Sequence, residues 1–461
     1  MAAVDWLQHS TPGLLLLALV AIAVLLLLIM KFGMEPFIAL LVVGLLVALA
    51  AGISVQDLVG TAQKSSNSLL EKGFGSILGH IAVIIGLGTL LGAILEKSGG
   101  ARVLTRALLR LFGQRRAPLA MGLAGLIFGI PVFFDIGVFV LAPLVFAAAR
   151  QDKRSVLLFV LPLIGGLSMT HAFLPPHPGP VTAAGLLGVS LGWIIVMGLA
   201  CGIPAWFAAS ILFSTWLGNR MHRSVPAEAE LAEEDGEDEP ALGTVLLLIL
   251  VPLVLILFGT FGNLLLPKGS TVGEVATFLG TPAVALTISV LLAMWLLGFR
   301  RGMGSKELST LTAAALRPVA MILLVVGAGA FFGAVLAATG IGKAVAGSLD
   351  AAGLPVLLAA YVISCGLRIA QGSATVAITT TTGILAPTVT ELHYSQPQLA
   401  LLVMAISSGS IIASHVNDGG FWIVSRYFGL TVKDTLRSWT VLETVLSLVG
   451  FGMAALLSLF V

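Results

Sequence analysis

Apolar and polar positions follow one another along this chain in long blocks. Residues 13–30 and 34–52 are apolar and meet at the turn Lys31-Phe32-Gly33, residues 53–75 are polar and amphipathic, and residues 76–96 are apolar again. A hydrocarbon core takes about 20 apolar residues to cross as helix, so each such block predicts a span. The same reading places spans at 191–216, 242–266, 276–298, 318–338 and 438–460. Four further apolar blocks are interrupted. GIPVFFDIG at 129–137 divides 117–149, THAFLPPHPGP at 170–180 divides 155–190, QGSATVAITTTTG at 371–383 divides 354–387, and SHVNDGG at 414–420 divides 399–435. Proline removes a backbone donor and clashes with the preceding turn, so no unbroken helix passes through the first two. Within a bilayer, backbone outside a helix survives only where protein buries it or a wet cavity hydrates it. The interruptions are therefore the places to look for a site.

Charge supplies the orientation. Lys97, Arg102, Arg106, Arg110, Arg115 and Arg116 precede the first interrupted block, and Arg150, Lys153 and Arg154 follow it. Basic flanks stay in the cytoplasm, so this block enters and returns on one side. Its arms hold only ~14–16 residues each, short of a span, which predicts a re-entrant hairpin with its tip at Pro131 to Asp135. Residues 155–190 then cross outward as a broken helix, and 191–216 return to Arg220 and Arg223. In the second half Arg300, Arg301, Lys306 and Arg317 mark the cytoplasmic side before 318–338. The block 354–387 predicts a second hairpin, whose flanks hold Lys343 alone among basic residues. The block 399–435 predicts a second broken helix that ends near Arg426, Lys433 and Arg437.

The halves repeat. Gly86, Gly88, Gly92 and Gly99 recur 241 residues later as Gly327, Gly329, Gly333 and Gly340, and Gly125-Leu126 recurs as Gly366-Leu367. After a three-residue insertion Leu141-Ala142-Pro143 recurs as Leu385-Ala386-Pro387, and His171 aligns with His415. The first half makes an odd number of crossings, so the second begins from the opposite face. Such inverted repeats place a transported substrate between broken helices near mid-membrane. The expected fold is an all-α polytopic membrane protein with about ten full spans, two re-entrant hairpins and two broken helices. Residues 1–216 are the first repeat, 217–241 an acidic cytoplasmic linker, and 242–461 the second repeat.

Composition agrees. The chain is 58% hydrophobic and 10% charged, with a mean hydropathy of +1.08, where soluble domains average about 25% charged residues. The net charge of +2 points to no nucleic acid, since topology decides where the charges sit. The acidic run EAELAEEDGEDEP reads as a solvated linker. Asp5 and His9 but no Lys or Arg precede residues 13–30, which read as a first span rather than a secretory leader. Cys201 and Cys365 lie in apolar blocks, and no disulfide follows from that. The nearest approach to a phosphate-binding loop, at 337–344, has Ala337 and Ala344 where glycine and Ser or Thr belong. ATP-driven pumping and a nucleotide cofactor are not expected.

The candidate chemistry lies in the interruptions. An acid inside a membrane is costly unless paired, hydrated or protonated, which marks Asp135 and Asp418 as candidates for proton coupling. Either could be the carrier, and Asp135 could instead cap the helix beside Gly137. Gly372, Ser373 and Thr375 read either as an anion-binding turn at a helix N-terminus or as a close helix contact. Of the four threonines that follow, Thr379 is the candidate contributor. Arg368 could meet a carboxylate bidentately or snorkel to the interface. Thr170, His171 and His177 in one break, with Ser414, His415 and Asn417 in the other, are candidate substrate contacts, and a structural hydrogen-bonded role stands beside that one for the histidines. There is no HExxH and no helical His pair, so no metal is expected.

FFDIGVFVLAPLVF at 133–146, THAFLPPHPGP at 170–180, LRIAQGSATVA at 367–377 and SHVNDGGFW at 414–422 resemble the gluconate:proton symporter family over nearly the whole chain. The resemblance implies an ion-transporter-superfamily fold, a dimer in the bacterial cytoplasmic membrane surrounded by lipid, and symport of gluconate or a related sugar acid with protons. D-serine or another small hydroxy or amino acid is the alternative it leaves, and an intramembrane metal-dependent hydrolase is the alternative of another class. A carboxylate bearing five hydroxyls needs a cationic or dipolar end and a polar cradle. The interruptions offer both.

Overall fold

The computed structural model describes residues 2–61, 68–152, 154–226, 239–267, 270–317, 319–342, 344, 348, 355–415 and 418–461. The acidic run falls largely outside these residues, at 227–238, and so do Lys153, Lys343 and Asn417. Among the described residues the chain is predominantly helical, and eight helices are long and apolar enough to cross a membrane. They begin with Thr11–Ile29 and Leu69–Lys97 and end with Val432–Leu457. One expected full span falls short of that length, and the second block expected as a broken helix is divided. Pro36–Ala50 has 15 residues, and the second broken helix divides into Gln396–Gly409 and Gly419–Tyr427. The block expected at 276–298 also divides, because Pro282 starts a new helix after Thr271–Gly280.

The interruptions sit where the pattern placed them, with different extents. The first hairpin is Ala117–Phe128 followed by Phe134–Asp152. The first broken helix runs Leu157–Phe173 and resumes as Pro178–Leu187, so only four residues of THAFLPPHPGP leave the helix. Pro178 and Pro180 fall in the first turn of the new helix, where no intrahelical donor is needed. The second hairpin joins Val356–Gln371 to Ala374–Glu391 through Gly372 and Ser373 alone. Its threonine run is helical and buried, not part of the break. The second break is the longer one, opening at Ser410 and closing at Asp418.

Packing holds these pieces in two apolar cores. The larger runs through both hairpins and both broken helices, and centres on Leu157–Phe173, where every residue but His171 is buried. Gly166 lies against the backbone of the first hairpin arm, with room for no more than a hydrogen there. The smaller core joins Thr11–Met30 and Pro36–Ala50 to Val319–Ala338 through Leu25, Leu40, Phe331 and Phe332. Two glycine pairs bring long helices onto the interruptions. Gly88 abuts Pro176 of the first break, and Gly92 meets the Pro131 carbonyl of the first hairpin turn. Gly329 and Gly333 meet Thr379 and Gly383 of the second hairpin in the same way.

Candidate functional site

All four interruptions contribute to one cavity of about 490 Å³. The second hairpin supplies its cation. Arg368 is 5% exposed, and its Nη1 donates to the Gly372 carbonyl while Nη2 donates to Asp418 Oδ2. Gly372 has φ +85°, a left-handed conformation that closes the helix and suits glycine alone at little cost. Ser373 then caps the next helix by accepting from the Val376 amide at 3.4 Å. Ser373, Ala374 and Thr375 thus place a helix N-terminus, a positive dipole end, on the cavity wall.

Asp418 comes from the second break and is held as an acceptor. Besides Arg368 it accepts from the Ser414 hydroxyl and, at 2.9 Å, from the Gly420 amide of the helix it caps. Ser414 is buried behind it and fixed by Trp439 Nε1 at 2.7 Å. Ala413 beside it takes φ +48°, a strained conformation for a residue with a Cβ. His415 points its Nδ1 at the Ala413 carbonyl, 3.1 Å away, and does not line the cavity.

From the first half come Phe133, Phe134, Asp135 and Ile136 of the hairpin turn, and Ser168, His171 and Pro178 of the broken helix. Asp135 lies in the first turn of its helix, where a carboxylate suits the dipole, and it makes no ion pair among the described residues. His177 has another task. Its Nε2 donates to the Gly129 carbonyl at 2.7 Å, so the break is stapled to the hairpin turn. The ring is buried and stands 4.9 Å from that of His171. Thr170 spends its hydroxyl on the Gly166 and Leu167 carbonyls of its own helix.

The structure therefore brings Asp135, His171, Arg368, Gly372, Ser373, Thr375 and Asp418 to one cavity wall. Thr170, His177, Thr379, Ser414 and His415 lie behind it, the first four because they pack or bond neighbouring backbone and side chains. Sequence reasoning missed Ser168, Trp439 and Glu443. The last two stand on Val432–Leu457, which carries no break. One face of that helix touches all four interrupted elements. Trp439 stacks near Phe134, ring centroids 5.3 Å apart, and Thr440 donates to the Ser414 carbonyl. Glu443 accepts from Ser168 at 2.9 Å, and Ser447 lies 3.0 Å from the Tyr361 hydroxyl of the second hairpin. A lone acid in an apolar span was the available signal for Glu443.

Among the described residues no group of three His, Cys, Asp or Glu side chains could hold a metal ion. The model of the GntP family permeases matches residues 13–460. The chain belongs to the GntP permease family. The permease is 42% identical to the inner membrane permease YgbN of Escherichia coli K12, over 96% of this chain and 98% of that one. It is 39% identical to a gluconate permease of Pseudomonas aeruginosa, over 97% and 98% of the two chains. With the high-affinity gluconate transporter of Escherichia coli K12 it shares 35%, over 97% and 100%. Among solved structures the permease resembles the YdaH transporter of Alcanivorax borkumensis, with a TM-score of 0.63 at 16% identity, covering 92% of this chain and 99% of that one. MtrF of Neisseria gonorrhoeae superposes with a TM-score of 0.60, also at 16% identity, covering 98% and 96%. At that identity the likeness concerns the fold alone. Membership in a permease family removes the hydrolase alternative.

Proposed function

We propose that this permease imports gluconate or a related sugar acid together with protons, by exposing the cavity in turn to the two faces of a bacterial inner membrane. One observation carries the reading. A single cavity is lined both by a cationic, dipolar group, made by Arg368 and the helix start at Ser373 to Thr375, and by the polar side chains of Asp135, Ser168 and His171. Its volume of about 490 Å³ falls in the range of small-molecule sites, roughly 300–1,000 Å³. The cationic group takes a carboxylate and the polar side chains a chain of hydroxyls. Relatives named for gluconate support the substrate class. Asp135 is exposed, so a proton can reach it, and Asp418 keeps Arg368 charge-compensated and aimed.

In this proposal residues 1–216 and 242–461 are inverted halves, each giving a hairpin and a broken helix, and two protomers assemble in the lipid. Labelled gluconate should exchange into proteoliposomes by counterflow and accumulate against its gradient when the outside is made acid. Uptake that follows a sodium gradient at fixed pH, and ignores the pH gradient, would remove the proton from the reading. D-serine presents an ammonium group that Asp135 could meet. Competition by sugar acids and D-serine against gluconate counterflow decides between them.

A further inference from the structure

We propose that Glu443 carries the coupled proton, a role that rests on the proton-symport reading and moves its central step off the two acids in the interruptions. Glu443 is 1% exposed and belongs to the cavity wall. Ser168 donates to its Oε2 at 2.9 Å, while its Oε1 is buried without a hydrogen-bond partner. A buried carboxylate with one neutral donor and no counter-ion is costly to leave charged. Protonated, the same group needs only an acceptor for its O–H, and the hydroxyls of a sugar acid are acceptors as well as donors.

The surrounding charges single it out. Lining the same cavity are Arg368 from the second hairpin, Asp418 from the second break, Asp135 from the first hairpin and His171 from the first broken helix. One turn away on its own helix, Ser447 lies in hydrogen-bond contact with the Tyr361 hydroxyl. Arg368 and Asp418 neutralise one another, and Asp418 accepts from three donors. That leaves the oxygens of Asp418 occupied as acceptors. Asp135 is exposed, so its carboxylate is not enclosed by protein as that of Glu443 is. Among the acids of the described residues, Glu443 alone combines burial with an unpartnered oxygen.

Coupling then follows from charge. An arriving substrate carboxylate brings a second negative charge to a cavity already balanced by the Arg368–Asp418 pair. A proton taken from water onto Glu443 Oε1 removes one charge, so substrate favours proton and proton favours substrate. When the cavity opens to the other face, the O–H bond breaks, the proton returns to water there, and the renewed charge expels the substrate.

The test compares two assays of the same proteoliposomes. One pH unit drives up to about tenfold accumulation per proton carried. Glu443→Gln mimics the protonated acid and cannot release it, so counterflow should continue at a reduced rate while accumulation under that gradient is lost and exchange no longer varies with pH. Accumulation retained by Glu443→Gln but lost by Asp135→Asn overturns the assignment and leaves proton symport standing. A wild-type protein that ignores the gradient overturns both. If the glutamine variant does not reach the membrane, Glu443→Asp serves instead. It keeps an acid one methylene shorter, and its transport should show a displaced pH profile. A profile that coincides with wild type overturns the proposal.

Discussion

Arg368 and Asp418 are paired with one another before any ligand arrives, although Arg368 Nε is buried without a partner, and their substitutions should behave accordingly. Removing one member of a buried ion pair strands the other, at a cost of about 3–5 kcal/mol. Arg368→Gln should therefore lower the thermal unfolding midpoint in detergent sharply, and Arg368→Gln with Asp418→Asn should recover much of the loss while gluconate binding stays absent. His177 predicts a different split. His177→Leu leaves the buried Gly129 carbonyl without a donor, a penalty of about 1–3 kcal/mol. The variant should unfold earlier, with a KM for uptake close to wild type, because the ring lies behind the wall. Asp135, Asp418 and Arg368 were legible in the sequence because isolated charges in apolar blocks announce themselves. Glu443 obeys the same rule, but its span has no break to draw the eye. The task of His177 was illegible, since it depends on a carbonyl 48 residues away.

Among elements, the helices that carry no interruption decide how the interrupted ones meet. Leu69–Lys97 touches the first break and the first hairpin through Gly88 and Gly92, one turn apart. In Gly92→Ala the new methyl would run into the Pro131 carbonyl, which is backbone and has little freedom to yield. Overpacking of this kind costs about 1–3 kcal/mol. Gly92→Ala should slow counterflow more than it lowers the unfolding midpoint, because the hairpin turn beside Asp135 must shift. Sequence reading placed the four interruptions to within a few residues, since proline and small polar residues stand out in apolar blocks. It overestimated the second hairpin's break. Four threonines look like broken backbone, yet a hydroxyl such as that of Thr382 bonds the Ile378 carbonyl one turn back, at 2.7 Å, and the helix continues. The bonded face of Val432–Leu457 could not be read at all, because its partners come from four separate parts of the chain.

At the scale of the whole molecule, the chain is anchored on either side of residues 227–238. On one side Arg223 forks onto Asp434, at 2.7 and 3.1 Å, and the Val156 amide donates to its carbonyl at 2.9 Å. On the other, Glu239 accepts from Arg106 at 2.8 Å and lies 3.7 Å from Arg102. The first anchor ties the chain before residue 227 to the helix Val432–Leu457, and the second ties the chain after residue 238 to the basic helix Gly100–Phe112. Neither relies on the peptide bonds between 226 and 239. A protease site placed there should be cut without releasing either piece, so the two fragments should co-purify and still exchange gluconate. Two genes, each encoding one half, should then suffice to make the transporter.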